Sequence, residues 1–119
     1  MGDRAQLEIT DGKASVFFYT HWSGHDLAAV LARGLTVGRS LKDDRSYCLG
    51  SVVREFVRST GGLDVTASLG VGFAFKDNDD ERGAPLTLDV VRKTVRFGDG
   101  PAVPVKTFLA DPTGSVGWR

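Results

Sequence analysis

The chain has 119 residues, which is enough for one ordinary domain and too few for two. Fifteen basic and fifteen acidic residues cancel, so there is no strong case for a protein that coats nucleic acid through many phosphate contacts. The hydrophobic fraction of 41% and the charged fraction of 25% are typical of a folded globular protein and argue against global disorder.

The cellular compartment is predicted from what the sequence lacks. Cys48 is the single cysteine, so no internal disulfide can form and an oxidising compartment is not implied. The first residues have no apolar signal core, and no apolar run reaches the roughly twenty residues that span a bilayer. These features predict a cytoplasmic protein that does not associate with a membrane.

A β-hairpin is predicted at the start of the chain. Leu7 and Ile9 alternate with polar neighbours, Asp11-Gly12 suits a tight turn, and residues 14–20 are rich in strand-forming side chains. Residues 16–19 are apolar or aromatic in succession, which predicts a central strand covered on both faces.

Two helices are predicted next. The first has a one-face apolar spacing, with Asp26 or Ser23 as its N-cap and Gly34 as its end. The second begins near Asp43 and Asp44, and its apolar stripe consists of Leu49, Val52, Val53, Phe56 and Val57. Its water-facing side is predicted to carry Ser51, Arg54, Glu55 and Arg58.

The second half of the chain predicts further strands. Residues 65–75 and 86–90 alternate, residues 95–97 pair with the latter, and residues 103–109 form a short strand or a helical turn. The order β-β-α-α-β-β-β predicts a single α+β domain over residues 1–110, with a mainly antiparallel sheet and two helices packed on one face. Residues 111–119 are predicted to be a flexible tail, with docking of Trp118 as the alternative.

The candidate binding site lies where the second strand meets the first helix, and it consists of Tyr19, His21, Trp22, Gly24 and His25. Unpaired amides at a helix start bind anions, and imidazoles titrate near neutral pH. Tyrosine and tryptophan are typical anchors of binding hot spots. The structural alternative is that Trp22 fills a gap between helix and sheet and that His21 bonds a loop carbonyl.

No metal site and no cofactor are predicted. Zinc needs three or four ligands, and neither Asp26 nor Cys48 has a characteristic spacing to the two histidines. Cys48 borders the apolar stripe of its helix, which favours a buried and unreactive thiol. The acidic run 77–81 lacks the pattern of an EF-hand, and residues 70–72 lack the third glycine of a dinucleotide fingerprint.

The middle of the chain is locally basic, and its cationic residues are Arg33, Arg39, Lys42, Arg45, Arg54 and Arg58. Most of these side chains are expected to face water. If several of them converge beside His21 and His25, they would form an anion-binding surface.

The run Ile9-Thr10-Asp11-Gly12, residues 16–19 and then His21-Trp22-Ser23-Gly24 resembles a family of small uncharacterised phage and bacterial proteins. Their signature is Tyr-Thr/Ser-His-Trp-x-Gly, and further similarity lies at residues 70–72 and 85–97. The resemblance covers the chain to about Leu109. It implies a phage or prophage accessory protein, which acts in the host cytoplasm if it is phage-encoded, and it supplies no reaction.

The leading functional hypothesis is a non-catalytic binding protein, a phage-type accessory or inhibitor factor that contacts a host protein or captures a small anionic, nucleotide-like ligand. No nucleophile–base pair, carboxylate dyad or complete metal set stands out in the sequence. One alternative is a small phosphoester hydrolase with His21 as its general acid or base. Another is a homo-oligomeric structural protein.

Overall fold

A computed structural model of the protein describes residues 3–20, 24–61, 69–73 and 83–118. Its strands are β1 Ala5–Thr10, β2 Ser15–Thr20, β3 Leu69–Gly72, β4 Leu86–Asp89, β5 Thr94–Phe97 and β6 Val103–Pro104. Its helices are α1 Leu27–Thr36, α2 Arg45–Ser59 and α3 Val105–Ala110, and a 3-10 turn Gly24–Asp26 precedes α1. None of the helices in these ranges is long and apolar enough to cross a membrane.

The six strands form one sheet in the order β3-β2-β1-β4-β5-β6. Four neighbouring pairs are antiparallel, whereas β1 and β4 run parallel, with Leu7 beside Leu86. The predicted α+β fold with a mainly antiparallel sheet is confirmed, and the one parallel pair makes the sheet mixed. The middle strands are β1 and β4, whereas β2, which was predicted to be central, lies second from one end of the sheet. It is nevertheless covered on both faces, because the neighbouring residues Phe17 and Phe18 are both buried.

The helices α1 and α2 pack on one face of the sheet. Alternate residues of β1, namely Ala5, Leu7 and Ile9, enter the same apolar core as the inner faces of both helices. The rings of Phe18 on β2 and Phe56 on α2 are 5.7 Å apart, which places α2 over β2. The opposite face of the sheet carries the intervening residues of each strand, because successive side chains alternate.

The start of α2 agrees with the sequence, whereas the end of α1 does not. The Asp44 carboxylate accepts a hydrogen bond of 3.2 Å from the Tyr47 amide, as an N-cap does. Gly34 does not end α1, because the helix continues to Thr36. A β-carbon at Gly34 would lie 2.5 Å from Cα of Val52, so glycine is needed there to let α2 approach closely.

Glu55 is a second correction, because it is buried and not on the water-facing side of α2. Its Oε1 accepts a hydrogen bond of 3.1 Å from Nε of Arg33, and its Oε2 lies 3.5 Å from a guanidinium nitrogen of Arg58. The pattern of one helix does not reveal this burial, because it depends on α1 packing beside α2.

The C-terminal part of the described chain adds elements to the predicted order. Residues 103–110 form both β6 and α3, and residues 112–117 are consecutive turns. Trp118 is buried and packs edge-on against Phe97, with the ring centres 4.7 Å apart. Trp118 is therefore docked against the domain. This was the predicted alternative to a flexible tail.

The predicted strand over residues 65–75 corresponds in part to β3. Phe73 follows β3 as a bend, and residues 65–68 and 74–75 lie outside the described residues. The acidic run 77–81 also lies outside them.

Candidate functional site

The candidate cluster from the sequence is described only in part. His21 and Trp22 lie outside the described residues, whereas Tyr19, Gly24 and His25 lie within them. Tyr19 pairs with Gly70 across β2 and β3, and a β-carbon at Gly70 would lie 3.3 Å from Cβ of Tyr19. The tyrosine therefore covers a glycine of β3, which is a structural role for one predicted binding residue.

His25 is held at the start of β1 by acidic partners. Its backbone amide donates a hydrogen bond of 2.7 Å to Oδ2 of Asp3, and its Nδ1 contacts the same oxygen. Its Nε2 lies 3.3 Å from Oδ1 of Asp26. The Gly24 amide bonds the Asp3 carbonyl at 2.8 Å, and the His25 carbonyl accepts from the indole of Trp118 at 3.3 Å.

These contacts do not favour anion binding at Gly24 and His25. The carboxylates of Asp3 and Asp26 already place negative charge around the imidazole, so these two groups would repel an anionic ligand.

Three arginines of the central segment are engaged with other partners. Arg33 and Arg58 pair with Glu55. Arg39 lies 3.8 Å from the Asp44 carboxylate and stacks over Tyr47. These three guanidinium groups therefore do not contribute, beside His25, to the anion-binding surface that was predicted for the case in which the basic residues converge.

A polar cleft lies on the face of the sheet opposite α1 and α2. Its volume is about 300 Å³, and it is lined by Glu8, Thr10, Thr87, Asp89, Arg92, Thr94, Arg96 and Ala102. Glu8, Thr87 and Arg96 are in register across β1, β4 and β5, and Thr10, Asp89 and Thr94 form the next row. Side chains from three strands and from the β4–β5 turn therefore converge on one concave surface, which we call the sheet cleft.

Glu8 is fixed at one side of the sheet cleft by two hydroxyl groups. Its Oε1 accepts a hydrogen bond of 2.9 Å from Thr87, and its Oε2 accepts one of 2.6 Å from Ser15. None of the described cations forms an ion pair with it. Each carboxylate oxygen has a further lone pair, so Glu8 can accept another hydrogen bond from a ligand.

Asp89 shapes the turn between β4 and β5. Its Oδ1 accepts from the amides of Val91 at 3.0 Å and Arg92 at 2.9 Å. The turn includes Lys93 with a φ of 57°, a left-handed backbone conformation that is uncommon for residues other than glycine. This geometry places Arg92 at the rim of the sheet cleft, close in sequence to Arg96 on β5.

The two arginines of the sheet cleft have no acidic partner among the described residues. Neither Arg92 nor Arg96 forms an ion pair with a carboxylate in the described ranges of the chain. The carboxylates of Glu8 and Asp89 come from β1 and β4, whereas the guanidinium groups come from β5 and the turn before it. The sheet cleft is therefore formally neutral, with two carboxylates and two guanidinium groups in its lining.

Other chemically active groups in the described residues do not form a second centre. Cys48 is fully buried, and burial raises the pKa of its thiol, which disfavours the nucleophilic thiolate. Residues 3–20, 24–61, 69–73 and 83–118 contain no group of three or more histidine, cysteine, aspartate or glutamate side chains arranged to hold a metal ion.

The sheet cleft was not predicted from the sequence. The available signal was a polar residue at every second position of three strands, as in Glu8 and Thr10, Thr87 and Asp89, and Thr94 and Arg96. Such alternation also describes an ordinary solvated sheet face. Only the parallel pairing of β1 with β4 shows that these positions share one cleft.

Comparisons with known proteins give no match. No protein-family model matches the chain, and neither a curated protein nor a solved structure is significantly similar to it. The resemblance to the phage and bacterial family therefore stays a prediction from residues 9–24 and the shorter segments named with them.

Proposed function

We propose that this protein is a non-catalytic binding protein that captures a small hydroxylated anion, such as a sugar phosphate, in the sheet cleft. The observation that carries the proposal is the pair Arg92 and Arg96, two guanidinium groups without carboxylate partners in the described chain at the edge of a concave polar surface. Arginine binds phosphate and carboxylate groups through paired N–H donors.

The other lining residues favour hydroxyl groups on the ligand. Glu8 and Asp89 accept hydrogen bonds, and the hydroxyls of Thr10, Thr87 and Thr94 both donate and accept them. A sugar that carries one phosphate matches this set of groups, because its phosphate can bind the arginines and its hydroxyls can donate to the carboxylates.

The absence of aromatic side chains among the described lining residues argues against selection of a nucleobase. Base recognition commonly uses stacking on an aromatic ring, and the sheet cleft offers threonines and an alanine instead. The volume of about 300 Å³ is at the lower end of the range for small-molecule sites. We therefore favour a sugar phosphate over the nucleotide-like ligand considered from the sequence.

Isothermal titration calorimetry with ribose 5-phosphate, ribose, inorganic phosphate and AMP tests this proposal. Ribose 5-phosphate is expected to bind best. Arg96→Met is expected to weaken binding by about tenfold to a hundredfold, because a charge-assisted hydrogen bond is lost. Arg54→Met, which removes an exposed guanidinium on α2, is the matched control and should leave binding unchanged. Equal affinity of wild type and Arg96→Met would overturn the assignment.

The same samples separate binding from catalysis. We expect no inorganic phosphate to be released from ribose 5-phosphate during prolonged incubation. Repeated turnover that is lost in His21→Ala would instead support the hydrolase alternative. A host protein as the partner stays a prediction that rests on the sequence alone.

A further inference from the structure

A second concave surface lies at the end of the sheet where β1 stops and α2 begins. Its volume is about 370 Å³. Its apolar lining comes from Ile9, Val16, Leu49 and Val90, and its polar lining includes Asp11 and Arg45. We call this surface the apolar groove.

An exposed aromatic ring stands at the edge of the apolar groove. Phe73 lines the groove, yet 83% of its surface is exposed. Val71 and Leu69, at alternate positions before it, are also exposed, and they lie on the sheet face that α2 covers further inward. Contiguous exposed apolar patches are uncommon on a monomeric surface and often mark an interaction site, so these side chains favour association.

The same surface carries both members of a knob-and-hole pair. Phe73 is a projecting apolar side chain, and the apolar groove beside it is a cavity large enough to receive one. A two-fold symmetric interface uses the same patch on both subunits, so the patch must be complementary to itself. A projection next to a matching cavity satisfies that condition, because each copy can insert its own ring into the cavity of the other.

The charges at the apolar groove are complementary in the same way. Arg45 makes no ion pair with the described carboxylates, and Asp11 makes none with the described cations. The Asp11 carboxylate accepts from the amides of Lys13 at 2.9 Å and Ala14 at 2.8 Å, and these bonds lower its pKa. It therefore remains ionised at neutral pH and can meet Arg45 of another copy.

We propose that two copies of this chain associate through the apolar groove, with Phe73 of each copy seated in the groove of the other and Arg45 of each facing Asp11 of the other. The apolar groove adjoins the sheet cleft at Thr10, which lines both, but the proposed interface does not rest on ligand binding in the cleft.

Sedimentation velocity of the full chain, from low micromolar to near-millimolar concentration, tests this inference. The expected result is a concentration-dependent dimer. Phe73→Lys should weaken dimerisation by at least about tenfold, because a buried aromatic anchor is lost. Val37→Lys is the matched control, since Val37 is also exposed and apolar but follows α1. It should leave dimerisation unchanged.

A second variant keeps the test decisive if Phe73→Lys disturbs the fold. Arg45→Glu places an acidic residue in the first turn of α2, where it suits the helix dipole, so the monomer should stay folded. It should nevertheless weaken the dimer, because it faces Asp11 of the other copy. A monomer at every concentration, or a dimer unaffected by both variants, would overturn the proposal. So would shielding from quenchers, in the monomer, of the indole that Phe73→Trp adds to the wild-type signal, because the chain itself would then cover the groove.

Discussion

Nε of Arg33 on α1 donates a hydrogen bond of 3.1 Å to Oε1 of Glu55 on α2. The Glu55 residue is only 3% exposed, whereas the side chain of Arg33 is half exposed. Burial of a carboxylate is costly unless donors accompany it, so this contact supports the junction between the two helices.

Arg33→Met is expected to lower the free energy of unfolding by about 1–3 kcal/mol. The substitution keeps an apolar stem of similar length, but it leaves Oε1 of Glu55 buried without its donor. Arg54→Met is the matched control on an exposed part of α2 and should change stability by less than about 0.5 kcal/mol. Urea denaturation of the two variants measures the difference, and equal midpoints would contradict this account.

Two glycines in helices should respond to alanine in opposite ways. Gly34→Ala places a methyl group 2.5 Å from Cα of Val52, and we expect a loss of about 1–3 kcal/mol despite the better helix propensity of alanine. Gly50→Ala on α2 meets no atom within 4 Å and should raise stability by about 0.5–1 kcal/mol. Thermal unfolding followed by circular dichroism compares them. A neutral Gly34→Ala would show that α1 and α2 lie further apart.

Trp118→Ala is expected to destabilise the domain by about 3 kcal/mol, because it removes a buried ring from beside Phe97. Trp118→Phe keeps an aromatic contact but removes the hydrogen bond to the His25 carbonyl, so its cost should be smaller. Chemical denaturation ranks the three proteins. If Trp118→Ala unfolds at the same denaturant concentration as the wild type, the C-terminal turns are a flexible tail.

The Cys48 thiol should react slowly with a thiol reagent in the folded protein. Burial raises its pKa above the ordinary value of 9.0, so the folded state keeps the proton more firmly than the unfolded state. The contribution of the protonated Cys48 thiol to stability is therefore complete at pH values below the pKa that the thiol has in the unfolded state. This contribution is lost as the pH rises through the higher pKa of the folded state. Labelling rates with and without denaturant at mildly alkaline pH check this, and rapid labelling of the folded protein would contradict it.

Local elements of this fold follow closely from the sequence. The second helix is predicted well because its N-cap at Asp44 and its apolar stripe are both read within one segment. The hairpin of β1 and β2 is likewise local, with Gly12 at a φ of 90° in its turn.

Features that depend on distant parts of the chain could not be predicted in this way. Burial of Glu55, the role of Gly34 inside α1 and the place of β1 beside β4 each require a partner from another element. The sheet cleft has the same origin, because its residues come from three strands whose order the sequence does not state. Of the predicted binding cluster, His21 and Trp22 lie outside the described residues, and Tyr19 covers Gly70.

The parallel pairing of β1 and β4 has a consequence for synthesis of the protein. Glu8 and Thr87, which are hydrogen bonded across these strands, are 79 residues apart in the chain. The edge of β1 in the amino-terminal hairpin therefore stays unpaired in the nascent chain until β4 has been synthesised. Contacts of such long sequence separation also form slowly. We infer that nascent chains halted before β4 are the species most prone to aggregate or to require a chaperone.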